Sequence, residues 1–519
     1  MQVLKHENSQ KFLLCLIGIA LAGMILLFFK TESGVGVSPD SVNYISAAKN
    51  LAAGKGLTIV STKGVEAPMT QFAPFFPCIL SIFSLLKINI IEGGRFLNIA
   101  IFGANIFLAG LFCYYLTRSF LTAILCSFFV LCSVNLMVIH TGILTEPFFI
   151  LLMLASLLFL ARFIDGNRRG HFLISLCLAG LAFLTRYAGG TVVFAGMIVI
   201  FCLSQRSIKD RLKYSIIYGF LSSLPMAAWL VRNLLEADNA VNRPMAVHLV
   251  TIGKIKHLFV TVADWFLPLH TDKLIKGTFA VFLIAVLVAL YSYLLRSVSR
   301  ARLKDFLLPR SFHVLGIFIC AYLFFLYVVM SLGDAEVQFD YRLMVPTVIP
   351  FLILLVCLFY YSMRYLSNGR IEKLAIGILI ALVAATQLIH MIDWVWHGQI
   401  FYGFAGEKYR KSQILLFIND LPQEIPVYSN GNDLIYFYTG RIGPMLPTKV
   451  GRASEKNNEN YVSEIEIMKQ RLESENGLVV YFKNITWRWN LPSADELMSS
   501  MCLKKVLDFV DGEIYQIAR

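Results

Sequence analysis

Residues 12–29 read FLLCLIGIALAGMILLFF, an unbroken run of apolar and small residues without a charge. At 1.5 Å per residue it makes about 27 Å of helix, enough to cross the hydrocarbon of a bilayer. The run is longer than a signal-peptide core and no A-x-A-like site closes it, so it reads as a retained first membrane helix. Working outward, similar runs recur near 96–117, 120–139, 146–163, 172–185, 190–204, 214–231, 277–295, 313–331, 344–363 and 374–392, which makes about 11 predicted transmembrane helices. The stretch 74–86 is apolar but short, with Pro74 and Pro77 at its start, and is expected at the membrane interface. Composition agrees with a polytopic α-helical membrane protein: of 519 residues 57% are hydrophobic and 15% charged, with mean hydropathy +0.67. A soluble chain this apolar could not cover itself with polar surface. Disorder, collagen-like repeats and a small disulfide scaffold are excluded by the same figures.

The net charge of +13 sits in short clusters between the apolar runs, and no run of five Lys/Arg occurs, so no nucleic-acid partner is expected. With the N-terminus cytoplasmic, the inside loops hold Arg118; Arg162, Arg168 and Arg169; Arg206, Lys209, Arg211 and Lys213; Arg296, Arg300, Arg302, Lys304 and Arg310; and Arg364, Arg370 and Lys373. The short outside loops hold only Arg186 and Arg342. This positive-inside pattern predicts a multi-pass protein of the cell (inner) membrane, with long external loops at about 31–94 and 232–276. Residues 1–392 are expected to form the membrane part and 393–519 a small extracytoplasmic α/β domain. In that tail, strands are predicted at Ile425–Tyr428 and Leu478–Phe482 and a helix at Ala494–Met501. A last pair, Val506–Val510 and Glu513–Ile517, is joined by Asp511-Gly512, a tight hairpin signal.

The cysteines lie mostly inside apolar runs, only Cys78 and Cys502 are expected outside a span, and no CxxC occurs; they read as packing residues. His248, His257 and His270 share one loop at spacings that fit no local metal-ligand pattern. No phosphate-cradling P-loop or dinucleotide fingerprint exists, so no nucleotide cofactor is expected.

In the first external loop, Ser38-Pro39-Asp40 opens a helix as N-cap, N1 proline and first-turn acid. Tyr44, Ala47, Ala48 and Leu51 continue it with one apolar stripe, and Gly54-Lys55-Gly56 ends it. Asp40 then lies near the membrane surface, either as a reactive group or only as a stabiliser of the helix start. Glu146, at the outer start of the fourth span, is the best second acid, because residues 140–146 hold no Lys or Arg to neutralise it. Its alternative role is to cap that helix with Thr145. Arg186 and Arg342 suit phosphate oxygens with their planar forks, or else snorkel to water; Asp340 is the nearby carboxylate for Arg342.

Pro39-Asp40-Ser41-x-x-Tyr44, followed by Ala47-Ala48-x-x-Leu51-x-x-Gly54-x-Gly56, resembles the first external loop of the GT-C glycosyltransferases. These are the polyprenyl-phosphate-sugar enzymes that include protein O-mannosyltransferases and bacterial lipid A aminoarabinose transferases. Pro74-Phe75-Phe76-Pro77, Thr145-Glu146-Pro147, Thr185-Arg186-Tyr187-Ala188-Gly189, Tyr341-Arg342-x-x-x-Pro346 and Val427-Tyr428-Ser429-Asn430 are similar to further family positions, in the right order over nearly the whole chain. The resemblance implies a GT-C-like fold and an inverting glycosyltransferase. Such an enzyme moves a hexosyl or pentosyl group from a polyprenyl-phosphate carrier to a glycan, lipid or protein acceptor at the outer membrane face. It implies Asp40 and Glu146 as catalytic acids, with Tyr44, Arg186, Tyr341 and Arg342 binding substrate; the loop lysines Lys49 and Lys55 could also meet the phosphate or else sit in solvent. Any divalent metal would be held by Asp40 and Glu146. The donor and the surrounding membrane lipid are the expected partners. The alternative is a polytopic transporter or lipid flippase, which predicts ionisable residues or broken helices at mid-membrane; the acids here collect outside the spans.

Overall fold

The computed structural model describes residues 2–242, 245–268, 271–300, 309–333, 337–365, 370–398, 400 and 402–518. His270, Arg302 and Lys304 lie outside them. The apolar runs fold as helices. Among the described residues eight are long and apolar enough to cross a membrane: Gln10–Lys30, Ile90–Thr117, Glu146–Gly166, Ile208–Ala237, Lys273–Ser292, Phe312–Leu332, Tyr341–Arg364 and Ile376–His397. The run at 120–139 is not one straight helix but a pair, Phe120–Leu131 and Val134–His140, bent by 57° where Cys132 and Ser133 interrupt it. Counting that pair as one span gives up to nine, against the eleven expected. The difference lies in Arg169–Thr185 and Tyr187–Leu203, apolar helices of 17 residues or fewer, about 25 Å at most. The Phe75–Leu85 helix is likewise short, as the stretch 74–86 suggested.

The Pro39–Ala52 helix begins as its sequence dictates. Ser38 and Ser41 form a reciprocal capping box, with the Ser41 amide donating to Ser38 Oγ at 3.2 Å and the Ser38 amide to Ser41 Oγ at 3.0 Å. Beyond it, strands β1 (Thr58–Val60) and β2 (Glu66–Pro68) form a short antiparallel hairpin that the sequence reading did not foresee. A mixed four-stranded sheet forms in the tail from β3 (Val427–Ser429), β4 (Leu478–Phe482), β5 (Leu503–Phe509) and β6 (Gly512–Ile517), in the order β3-β4-β6-β5. β3 pairs parallel to β4, while the β5–β6 hairpin turns at Val510-Asp511. β3 starts two residues later than expected, and β5 starts earlier and carries an irregularity between Lys505 and Leu507.

This sheet packs on the first long loop. Val37 donates its amide to the Tyr402 carbonyl (3.0 Å) and accepts from the Phe404 amide (2.7 Å). Val37, Ile45, Phe76, Tyr409, Ile414, Val427 and Val480 share one buried apolar cluster. Gly64, in the β1–β2 turn at φ +71°, lies so close to Gly443 and Pro444 that a Cβ would stand 2.5 Å from the Pro444 nitrogen. Loop and tail are therefore one packed layer at one end of the helices.

Candidate active site

That layer and the helix ends beneath it assemble the charged residues. The segment before the Pro39–Ala52 helix runs beside the 141–145 loop: the Gly36 amide donates to the Thr141 carbonyl (2.7 Å), the Ile143 amide to the Gly36 carbonyl (2.9 Å) and Ser41 Oγ to the Ile143 carbonyl (2.7 Å). Asn98 Nδ2 holds the Gly142 carbonyl from the other side, at 2.5 Å. These bonds fix the heads of two helices together, so first-turn Asp40 on one and first-turn Glu146 on the other face a common space.

Arg342 bridges them. Its Nη2 donates to Asp40 Oδ2 at 2.8 Å and its Nε to Glu146 Oε1 at 2.5 Å. Arg186 Nη1 meets the same Glu146 oxygen at 2.7 Å and also donates to Thr145 Oγ1 at 2.7 Å. Glu146 is fully buried, whereas the Asp40 and Arg342 side chains are 35% and 29% exposed. The layout is a row of alternating charge, Asp40–Arg342–Glu146–Arg186, with one end reachable. Burial of so many charges is tolerable because each has an opposite partner.

Local chain geometry presents both arginines. Asp340 caps the short Tyr341–Met344 helix by accepting the Leu343 amide at 2.7 Å. It does not pair with Arg342, and the guanidinium is left for the distant acids. Burial raises the Asp340 carboxyl above its ordinary range, against the lowering pull of the Leu343 amide and of Arg342. The Phe339 carbonyl is held by Thr261 Oγ1 at 2.5 Å and lies 3.1 Å from His257 Nδ1, so the loop containing His257 braces this segment. Arg186 stands in extended conformation between two helices that fold back on each other. Gly189 permits the turn, because a Cβ there would come within 2.4 Å of the Ala182 carbonyl oxygen.

The remaining candidates fall differently. Tyr44 is buried with its ring edge-on to Phe72 and Phe76 and lies close enough to feel all four charges of the row. Burial first, then the negative charges of Asp40 and Glu146, hold its hydroxyl proton far more tightly than usual, so it stays protonated. Tyr341 is exposed beside Arg342. Lys55 is not brought to the cluster: it lies past the far end of a 14-residue helix, about 20 Å from Asp40 along the axis, and pairs with Glu66 at 3.0 Å. Its side chain is 54% exposed. Among the described residues no group of three or more His, Cys, Asp or Glu could hold a metal ion. Asp40 and Glu146 fit one poorly, since the Arg342 guanidinium already bridges them.

The fold is that of a multi-helix membrane protein and is similar to solved structures of the GT-C type. Residues 71–229, which include Glu146 and Arg186, match the family described as dolichyl-phosphate-mannose-protein mannosyltransferase. Among solved structures, the chain is similar to ArnT from Cupriavidus metallidurans bound to undecaprenyl phosphate (TM-score 0.58, 13% identity, 96% of this chain and 97% of that one). It is also similar to the archaeal oligosaccharyltransferase AglB from Archaeoglobus fulgidus in complex with an inhibitory peptide and a dolichol-phosphate (TM-score 0.52, 13% identity, 92% and 70%). A third is the arabinofuranosyltransferase AftD from Mycobacteria (TM-score 0.52, 12% identity, 97% and 40%). Comparison with curated proteins finds no match.

Proposed function

We propose that the chain is an inverting glycosyltransferase that takes a sugar from a polyprenyl-phosphate carrier and joins it to a hydroxyl or amine of a glycan, lipid or protein. One observation carries the reading: a partly exposed carboxylate, Asp40, is tied through Arg342 to a buried Glu146 at the heads of the membrane helices. Asp40 takes the acceptor proton as the acceptor atom attacks the anomeric carbon. The bond from that carbon to the phosphate oxygen breaks, and its electron pair leaves with the lipid phosphate. Arg342 meets the departing oxygens with its fork, and Glu146 holds Arg342 and Arg186 in place for them. Arg186 Nε is buried with no acceptor among the described residues, a donor left for an oxyanion. A phosphate leaving group needs no protonation, which suits a site whose second acid, Glu146, is sealed. Tyr341 flanks the acceptor side; Lys55 has no part. The transporter alternative finds no support among the similar proteins.

Asp40→Asn keeps the Ser38–Ser41 cap and removes the base. Transfer measured as released lipid phosphate should fall by about 10²-fold or more while polyprenyl-phosphate binding persists. Near-normal turnover would remove Asp40 from this role. The site and the tail are assigned to the extracytoplasmic face of the cell membrane and the N-terminus to the cytoplasm, on the distribution of Lys and Arg. In intact cells an impermeant thiol reagent should label single cysteines placed at 55 and 440 but not at 118; the reverse pattern would invert the assignment.

A further inference from the structure

At the other end of the helices lies a second charged cavity, of about 510 Å³, that the transfer reaction does not use. It is lined by Tyr115, Arg118, Arg162, Asp165, Arg168 and His171. Arg162 stands on the same Glu146–Gly166 helix as Glu146, sixteen positions on and so about 24 Å away along its axis. The cavity therefore opens at the opposite membrane face from the catalytic cluster.

Its charges are unbalanced, unlike those of the cluster. The Arg118 and Arg162 guanidiniums sit at 5.1 and 5.6 Å from the centre of the Tyr115 ring, and Arg162 also lies 5.4 Å from that of Phe159, so the two cations meet over Tyr115. Among the described residues no carboxylate lies within ion-pair distance of Arg118, Arg162 or Arg168. The one acid of the wall, Asp165, instead accepts the Tyr115 hydroxyl at 2.8 Å. That bond fixes the ring on which both arginines rest. His171 adds a buried Nδ1 without a hydrogen-bond partner among the described residues. Like charges held this close repel, and the ordinary relief, an acidic neighbour, is missing.

We propose that this cavity binds the phosphate headgroup of an anionic phospholipid from the leaflet opposite the catalytic cluster. The phosphate lies between the Arg118 and Arg162 forks, with Arg168 at the rim, and the acyl chains remain in the bilayer. Basic pockets at helix ends on the inner face suit such headgroups by charge and by position.

The test uses the full-length protein in nanodiscs of phosphatidylcholine with or without phosphatidylglycerol, with bound lipid counted by native mass spectrometry after release. Wild type is expected to retain phosphatidylglycerol over phosphatidylcholine. Arg118→Gln with Arg162→Gln is expected to lose roughly thirtyfold in that preference, the worth of two surface arginines against anionic lipid. Arg118→Lys with Arg162→Lys, which keeps the charges, should restore most of it, and this separates binding from a general loss of fold. Equal retention by wild type and the glutamine variant overturns the proposal. So does inorganic phosphate binding the wild type as tightly as the lipid does, which would make this a small-anion site. Because the cavity is remote from Asp40, donor turnover of the lysine variant reports on the catalytic reading separately.

Discussion

Replacing Glu146 by glutamine removes one charge from the middle of the row Asp40–Arg342–Glu146–Arg186 and almost nothing else, since the two side chains have nearly the same shape. Glu146 Oε1 takes Arg342 Nε at 2.5 Å and Arg186 Nη1 at 2.7 Å, and the residue is fully buried. Without its charge, two guanidiniums face each other with only Asp40 left between them and the outside. Removing one partner of a buried pair costs about 3–5 kcal/mol. Coulomb repulsion of two unit charges some 4 Å apart, about 4 kcal/mol at an effective dielectric of 20, is of the same size. The Glu146→Gln protein, purified in detergent, is thus expected to unfold several degrees below wild type. Polyprenyl phosphate should raise its midpoint more than that of wild type, because the lipid phosphate supplies the missing anion and binds the folded state alone. Sugar transfer should fall with it. A variant with the wild-type midpoint, the same lift from polyprenyl phosphate and unchanged transfer would refute the charge balance from which the site is built.

Arg342→Lys keeps one positive charge but cannot span Asp40 and Glu146 together, and losing a charge-assisted hydrogen bond of about 1.5–3 kcal/mol should raise the donor KM by roughly 10- to 100-fold. An unchanged KM would mean that the fork serves structure alone. Lys55→Ala removes an exposed pair with Glu66, so stability should change by less than about 1 kcal/mol and transfer should not change; a loss of donor affinity would return Lys55 to the site.

What the sequence revealed and what it concealed divide along the range of the interactions. Apolar runs report their own helices, and Ser38-Pro39-Asp40 reports its own helix start, because the signals lie within a few residues of what they determine. The last hairpin was likewise expected, although its turn falls at Val510-Asp511, one residue before the Asp511-Gly512 signal, because Gly512 already pairs with Phe509. Arg342 shows the opposite case. The carboxylate nearest in sequence, Asp340, caps its own short helix, while the guanidinium pairs across 302 residues to Asp40 and across 196 to Glu146. No local pattern encodes those distances. Composition also could not show the bend at Cys132. In the tail, the Tyr461–Ser474 helix was missed although Ile465, Met468 and Leu472 carry helical spacing, because charged residues surround them. Arg441 left no signal at all. It is buried, donating to the carbonyls of Leu421 (2.6 Å), Pro422 (2.7 Å) and Ile425 (2.9 Å), so a residue that reads as a surface cation organises the loop before β3.

For the glycosyl transfer proposed above, the gradient of burial along the charge row implies an order of events. Glu146 is sealed, so its bonds to Arg342 and Arg186 do not have to compete with water, and they set where both guanidiniums sit. Asp40, about a third exposed, is the acid that solvent or an acceptor can reach. Its hold on Arg342 is accordingly the weaker link, and it is the one an arriving phosphate displaces. That exchange frees the Asp40 carboxylate for the acceptor proton at the moment Arg342 turns to the phosphate. Under the proposed reaction, donor binding thereby arms the base, and a site without a donor keeps its carboxylate occupied by arginine.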